Sequence, residues 1–433
     1  MLIQRATLLD GGVVDIRVGD RIIAVEPFLE TLPGEQVYDA RAGTVIPGLH
    51  DHHVHLRSAA AALTSVRVGP AEVHTRTELA RVLAAADVGD DGWVRAVGYH
   101  EAVAGPLDRV ALDDVSPPVP VRVQHRSGVL WTLNSAGLAR VGLADHPDGR
   151  LRSSDHTWSD TLQRNESRLA DISARLTAYG VTGVTDATPD LEVGDVVKLL
   201  DAHRRGELRQ RVHCLAPGKR ILHDTDLDLA GLTEWIAQRH ADAAPVAVHC
   251  VTAAQLVVTL AALRAAGRHP HDRIEHAAVV PDDNIADLVD VGVTVVTQPN
   301  FVAERGDQYL VDVPAAEHQE LWRVASLLAA KVPVALSTDM PFGHDDPWKA
   351  MRAAAFRTTA GGAVLGTDER VAPHDALTMF FGAADAPTVP RRIAPGQPGD
   401  LCVLSAKPNE VLGELDSGLV AATIIAGTVV TER

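Results

Sequence analysis

Val45-Ile46-Pro47-Gly48-Leu49-His50-Asp51-His52-His53-Val54-His55-Leu56 is the stretch on which the reading of this chain turns. Its apolar, β-branched surroundings predict a strand, and along a strand successive side chains alternate between faces. His53 and His55 therefore point the same way, roughly 6.5 Å apart at about 3.3 Å of rise per residue, where two imidazoles can grip one metal ion. Asp51 shares their parity and reads as a further ligand, or as the carboxylate that holds an imidazole tautomer from behind. His50 and His52 fall on the opposite parity and read as packed or solvated bystanders. His-x-His alone is a weak signal, so its meaning depends on what the rest of the chain brings to it.

Outward from that stretch, 433 residues with an apolar fraction of 46% leave room for one large domain and a small accessory one. A formal net charge of −17 argues against a nucleic-acid or anionic-membrane partner, since phosphate binding needs a basic patch and no basic run occurs. The expected partner is a small-molecule substrate, and a homodimer is the assembly considered. The three cysteines, Cys214, Cys250 and Cys402, are widely spaced and odd in number, which implies no disulfide framework and fits a reducing cytoplasm. The start lacks the cationic end and long apolar core of a signal peptide, and no apolar run reaches membrane-spanning length.

Short alternating runs at Leu2–Leu9, Val13–Val18 and Arg21–Val25, broken by glycines, read as hairpins. Asp400–Ser405 and Ala421–Val430 read as strands of the same small sheet, so the two termini are expected to meet in one minor β domain. A long segment at about 58–159 follows the His-x-His strand as a cap-like insertion that would wall a substrate pocket. Tyr99, His100, Glu101, His125, Arg126 and Asn134 are its candidate substrate-binding residues; Trp93 and Trp131 read equally well as core aromatics. The chain then alternates helix and strand: Val181–Ala187, Arg211–Leu215, Lys219–Leu222, Val246–Val251, Arg273–Ala277, Val293–Thr297 and Val334–Ser337 are the strands. A helix bearing Leu162, Leu169, Ile172 and Leu176 precedes the first of these, and one at Ala316–Lys331 precedes the last. With the His-x-His strand they make eight, apolar enough to be covered on both faces. The simplest closed solution is a (β/α)8 TIM barrel.

Ionisable residues interrupt these strands at telling places. Lys219 starts strand four, while His249, His276 and Asp339 lie at or near the carboxyl ends of strands five, six and eight, the active-site face of such a barrel. His53, His55, His249, His276 and Asp339 offer the nitrogen and oxygen donors that zinc or a similar divalent ion takes. Such an ion creates hydroxide from water at neutral pH, and a neighbouring carboxylate can take up the proton and pass it to a leaving group. Asp339 is the candidate for that catalytic role.

Together, Ile46–His55, Gly180-Val-Thr-Gly-Val-Thr-Asp186, Pro245-Val-Ala-Val-His249, Arg273-Ile-Glu-His-Ala277, Val293–Pro299, Val334–Asp339 and Pro395-Gly-Gln-Pro-Gly-Asp-Leu401 resemble the amidohydrolase superfamily, and within it amidohydrolase family 3, the YtcJ-like branch. The resemblance covers almost the whole chain. It implies a distorted (β/α)8 barrel in 47–393 and a small β-sandwich domain built from 1–46 and 394–433. It also implies one or two divalent ions, most readily zinc. His53, His55 and Asp339 would bind the more buried ion and His249 and His276 the second, with Lys219, carboxylated by carbon dioxide, as the bridge. An unmodified ammonium would repel the cations. His125-Arg-Ser-Gly-Val-Leu-Trp-Thr-Leu-Asn-Ser135 departs from the Asp-Gly-His stretch of many branch members, so the pocket differs. The expected reaction is hydrolysis of an amide or cyclic amide C–N bond. The rivals are a single-metal deaminase of an aminated heterocycle and a non-catalytic binding protein of the same fold.

Overall fold

Eight short parallel strands carry the polar residues singled out above. The computed structural model describes residues 1–153, 158, 162, 168–189 and 191–433, and these form two compact units, Met1–Leu56 with Leu169–Arg433, and Arg57–Arg168. In the first unit, Leu49–Val54, Val181–Asp186 and Arg211–Cys214 form one parallel sheet; Lys219–Ile221, Ala247–Cys250, Arg273–His276, Thr294–Thr297 and Val334–Leu336 form a second. Numbered first to eighth in chain order, they fall within or close to the strands expected from sequence. The first strand meets the eighth at its edge, where Val54 bridges Met340 in parallel and Asp339 N donates to His53 O at 3.0 Å. Among the described residues no ladder joins the third strand to the fourth.

The strands hold because Val246, Val248, Ile274, Val295, Val296 and Leu336 are all buried. Each such side chain contributes about 1.5–3 kcal/mol relative to exposure. The connecting helices are set by their ends. Ala253–Ala266 starts where Thr252 Oγ1 accepts from Gln255 N and stops at Gly267; Asp282–Val291 stops at the left-handed Gly292. The helix expected over Ala316–Lys331 is a correction: the segment is a 3-10 turn at Ala315–Glu320 and a short helix at Ala325–Ala329. Between them Leu321 and Trp322 are buried against Phe301 and Leu365, and a helix at Asn300–Asp312, not expected from sequence, packs beside them. The helix expected to carry Leu162 is described only from Leu169, as Leu169–Ala178, so its start lies outside the described residues.

Both termini contribute strands to one eight-stranded sheet. Thr44–Pro47 runs antiparallel to Leu401–Leu404, with Ile46 opposite Cys402. Gly48 takes the chain from this sheet into the first parallel strand. A Cβ there would lie 2.3 Å from the Thr182 side chain, so only glycine lets the two strands approach this closely.

In the second unit Val66–Arg67, Val94–Tyr99 and Val121–His125 are parallel neighbours, extended by the antiparallel Leu130–Leu133 and Arg150–Arg152. Trp93 and Trp131 are buried with Leu133, Leu138 and Trp158. All three cysteines are free. Among the described residues no helix is long and apolar enough to cross a membrane.

Candidate metal centre

The first, fourth, fifth, sixth and eighth strands bring His53, His55, Lys219, His249, His276 and Asp339 into one neighbourhood. His53 and His55 have ring centroids 5.3 Å apart, and the His276 ring lies 4.7 Å from His53 and 4.5 Å from His249. Asp339 Oδ1 sits 3.3 Å from His55 Nε2 and 3.5 Å from His53 Nε2. Lys219 Nζ lies 3.0 Å from the same His53 Nε2. Two of these residues need unusual backbone: His276 has φ 73° and Asp339 φ 58°, left-handed values that side-chain-bearing residues seldom adopt. Each costs on the order of 1–3 kcal/mol and persists where the surroundings over-determine it, as at functional sites.

The tautomers of His53 and His276 follow from their partners. His53 Nδ1 is in short contact with Glu275 Oε2, so it carries the proton and leaves the Nε2 lone pair facing Lys219 Nζ. His276 Nδ1 faces Gln298 Oε1 at 2.7 Å, and the Gln298 amide nitrogen donates to Ser337 Oγ at 2.8 Å; the amide oxygen must therefore accept, and His276 Nε2 also keeps its lone pair. His55 Nδ1 lies 3.2 Å from Thr188 Oγ1. Burial depresses His53 and His276 well below the ordinary imidazole value and takes His249 down to about 3, with the Lys219 charge adding to the effect at all three. All three are neutral at pH 7, the state in which imidazole binds a metal. Burial also lowers Lys219 to about 8.

These residues fit a divalent ion. Asp339 Oδ1 is buried with no hydrogen-bond partner, although the His53 and His55 Nε2 atoms stand near it. Asp339 Oδ1 lies 3.3–3.5 Å from the two nitrogens, and ligand bonds of 2.0–2.2 Å in a tetrahedron put donor atoms about 3.3–3.5 Å apart. His53, His55 and Asp339 are one of two groups among the described residues whose donor atoms lie mutually within 4.8 Å.

Glu275 is the functional residue that sequence reasoning passed over. It is fully buried, accepts from Arg273 Nε at 2.7 Å and Nη2 at 3.1 Å, and orients His53. Asp51, expected to be a ligand or to hold an imidazole, instead accepts from Thr338 N at 3.1 Å and Thr338 Oγ1 at 2.5 Å. It braces the residue before Asp339, and burial raises its carboxyl to about 7 against those two bonds. His50 and His52 are buried, the packed alternative of the sequence reading.

The six residues expected to touch substrate all lie in the second unit. Two of them make hydrogen bonds within the fold. Asn134 spends both side-chain ends on the fold, Oδ1 accepting from Val121 N and Gly137 N and Nδ2 donating to Val119 O and Ser116 Oγ. Tyr99 is buried, its hydroxyl donating to Gly105 O at 2.6 Å. Arg126 N donates to Tyr99 O, while His100, Glu101 and His125 form a cluster of their own.

Parallel strands with histidines and an aspartate converging at their carboxyl ends define a hydrolase of the metal-dependent class. The chain belongs to the amidohydrolase family, whose sequence pattern matches residues 36–431; it is an amidohydrolase, a hydrolase of carbon–nitrogen bonds. It is 25% identical to the N-substituted formamide deformylase of Arthrobacter pascens over 99% of this chain and 95% of that one. In fold it resembles an uncharacterized metal-dependent hydrolase from Pyrococcus horikoshii (TM-score 0.72, 19% identity, 94% of this chain and 97% of that one). A second, from Pyrococcus furiosus, has a TM-score of 0.68 at 18% identity over 94% and 99%.

Proposed function

We propose that this chain hydrolyses the C–N bond of a small-molecule amide, cyclic amides included, with Asp339 as general base and acid. The observation that carries the reading is the unpartnered, buried Asp339 Oδ1 facing His53 Nε2 and His55 Nε2. A divalent ion such as zinc, when bound there, supplies a neutral-pH nucleophile from water and polarises the carbonyl. His53, His55 and Asp339 would hold that ion, and His249 and His276, together with Lys219 once carboxylated, would hold a second. Asp339 takes up the proton released as water attacks and returns it to the departing nitrogen, which leaves as an amine instead of an amide anion. Glu275 keeps the His53 proton on Nδ1 throughout, and Gln298 does the same for His276. The Arthrobacter relative, named for deformylation of N-substituted formamides, supports the amide over the aminated heterocycle. In this reading the eight strands are one (β/α)8 barrel within 47–393, and 1–46 with 394–433 form the small β sandwich.

The test is a panel of N-formyl and N-acyl amines, lactams and aminoheterocycles offered to metal-stripped and zinc-reloaded protein. Zinc-dependent release of amine from amides is the expected result. Release of ammonia from aminoheterocycles alone would replace this reading by the deaminase, and inertness across the panel by a binding protein.

A further inference from the structure

The second unit carries a cluster that the proposed reaction does not use. Tyr99 and His125 are paired at the carboxyl ends of the parallel neighbours Val94–Tyr99 and Val121–His125, and parallel pairing places those two ends on one edge. Edges of this kind are where α/β sheets bind ligands, because the chain leaving each strand can turn its side chains toward a common point. His100 and Glu101 follow directly from Tyr99, so two imidazoles and a carboxylate meet there. Glu101 Oε2 lies 3.2 Å from His125 Nε2 and 3.9 Å from His100 Nε2; the rings are 5.8 Å apart and inclined at 34°. Side-chain exposures of 16% for His100, 21% for His125 and 41% for Glu101 make each donor partly accessible to solvent.

We propose that His100, Glu101 and His125 form a second divalent-cation site, with a donor set other than His53, His55 and Asp339 and of the kind zinc occupies. Two imidazole nitrogens and a carboxylate oxygen are the donor set of an open zinc site, and separations of 3.2 and 3.9 Å bracket the spacing of about 3.3–3.5 Å that zinc ligands adopt around a tetrahedron. The donor atoms lie mutually within 4.8 Å. His125 Nδ1 accepts from Ser127 N at 3.2 Å and lies 2.7 Å from Ser127 Oγ, so ligation through Nε2 moves the ring proton to Nδ1, where Ser127 Oγ can accept it. Burial works against the Glu101 carboxylate, yet its helix-end backbone N–H and the two imidazoles outweigh it and keep the carboxyl below its ordinary value. His100 Nδ1 accepts from Ala102 N at 3.2 Å, and ligation through Nε2 exchanges that contact for the metal bond. The ion displaces protons from the imidazole Nε2 atoms, so binding weakens as pH falls. It would tie two neighbouring strand ends together. The inference does not rest on the proposed reaction.

Crystals of the full chain equilibrated with zinc chloride test it by anomalous scattering at the zinc edge. The expected map has a peak bonded to Glu101 and to both rings. A map empty at that position overturns the proposal whatever the His53–His55–Asp339 centre holds, and occupancy of that centre is read separately. In solution, zinc retained after dialysis is counted for the wild type, Glu101→Gln and His125→Gln, with circular dichroism confirming that each variant is folded. Each substitution is expected to lower the count by one ion per chain; equal counts in all three proteins overturn the site.

Discussion

Replacing Glu275 by glutamine removes a single negative charge from a place where three groups depend on it. The carboxylate accepts two bonds from Arg273 and holds His53 Nδ1. Glutamine has one carbonyl oxygen for these duties, and its amide nitrogen must turn toward either the guanidinium or the imidazole, donor against donor. If the oxygen stays at the Oε2 position it keeps His53 and Arg273 Nη2, but Arg273, 5% exposed, then has its Nε turned onto the amide nitrogen and loses that acceptor. Breaking a buried ion pair from one side costs about 3–5 kcal/mol. If the oxygen turns to Arg273, the His53 tautomer is no longer fixed, and loss of such an outer carboxylate weakens metal binding about 10- to 100-fold. Urea unfolding of the metal-free protein and competition for zinc against a chromophoric chelator measure the two effects. The double variant Arg273→Met with Glu275→Gln removes the stranded charge, so it should recover stability without recovering zinc affinity. Zinc affinity in Glu275→Gln within twofold of the wild type would refute the tautomer argument.

Three further outcomes are expected. Lys219 is depressed to about 8 by burial, so its neutral amine, the form that adds carbon dioxide, rises from about a tenth at pH 7 to about nine tenths at pH 9; bicarbonate-dependent reactivation of metal-stripped protein should climb over that range and be absent in Lys219→Met, and a flat pH profile would contradict the bridge. His249 is held at about 3 in the fold against 6.5 unfolded, so the unfolded chain takes the proton first as pH falls. That group's share of stability is fully present above pH 6.5 and is lost below it at about 1.4 kcal/mol per pH unit until the folded value is reached. Comparing the urea midpoints of metal-free wild type and His249→Gln between pH 7 and 5 checks this, the variant having the shallower loss. Gly48→Ala sets a methyl against Thr182 at 2.3 Å and should cost about 1–3 kcal/mol in urea unfolding, partly relieved by Thr182→Ala; no loss would mean that the strands separate freely there.

The eight strands were legible because buried parallel strands are written as short apolar runs between turn residues, and the histidines and aspartate stood out as polar residues at their ends. Glu275 was equally visible in Arg273-Ile-Glu-His, and the usable signal was there: a carboxylate inside an apolar strand demands a partner, and Arg273 lies two residues away on the same face. The position of His276 was less readable. Strand parity puts it opposite Glu275, and a left-handed turn at φ 73° ends the pleat at this residue; no local sequence feature announces that in a residue with a side chain. The broken helix at Ala315–Ala329 depends on distant groups. Arg357 donates to Leu321 O and Trp322 O, and Glu369 accepts from Val324 N and Ser326 N, so backbone groups freed by the break are satisfied by residues far along the chain. Asn134 read as a pocket residue because a polar side chain beside a strand end suits binding and helix capping alike; only the capping partners decide between them.

The central claim is that Asp339, held with His53 and His55 on a divalent ion, moves the proton. Its most direct test is the hydrolysis rate of an N-formyl amine after stepwise zinc addition to metal-stripped protein, for wild type beside Asp339→Asn, with bound zinc counted in each. The account predicts that the wild-type rate rises with bound zinc and saturates within two ions per chain, and that Asp339→Asn at equal zinc content stays about 10²- to 10⁴-fold slower. A rate indifferent to zinc, or an Asp339→Asn variant as fast as the wild type at equal zinc content, would contradict it.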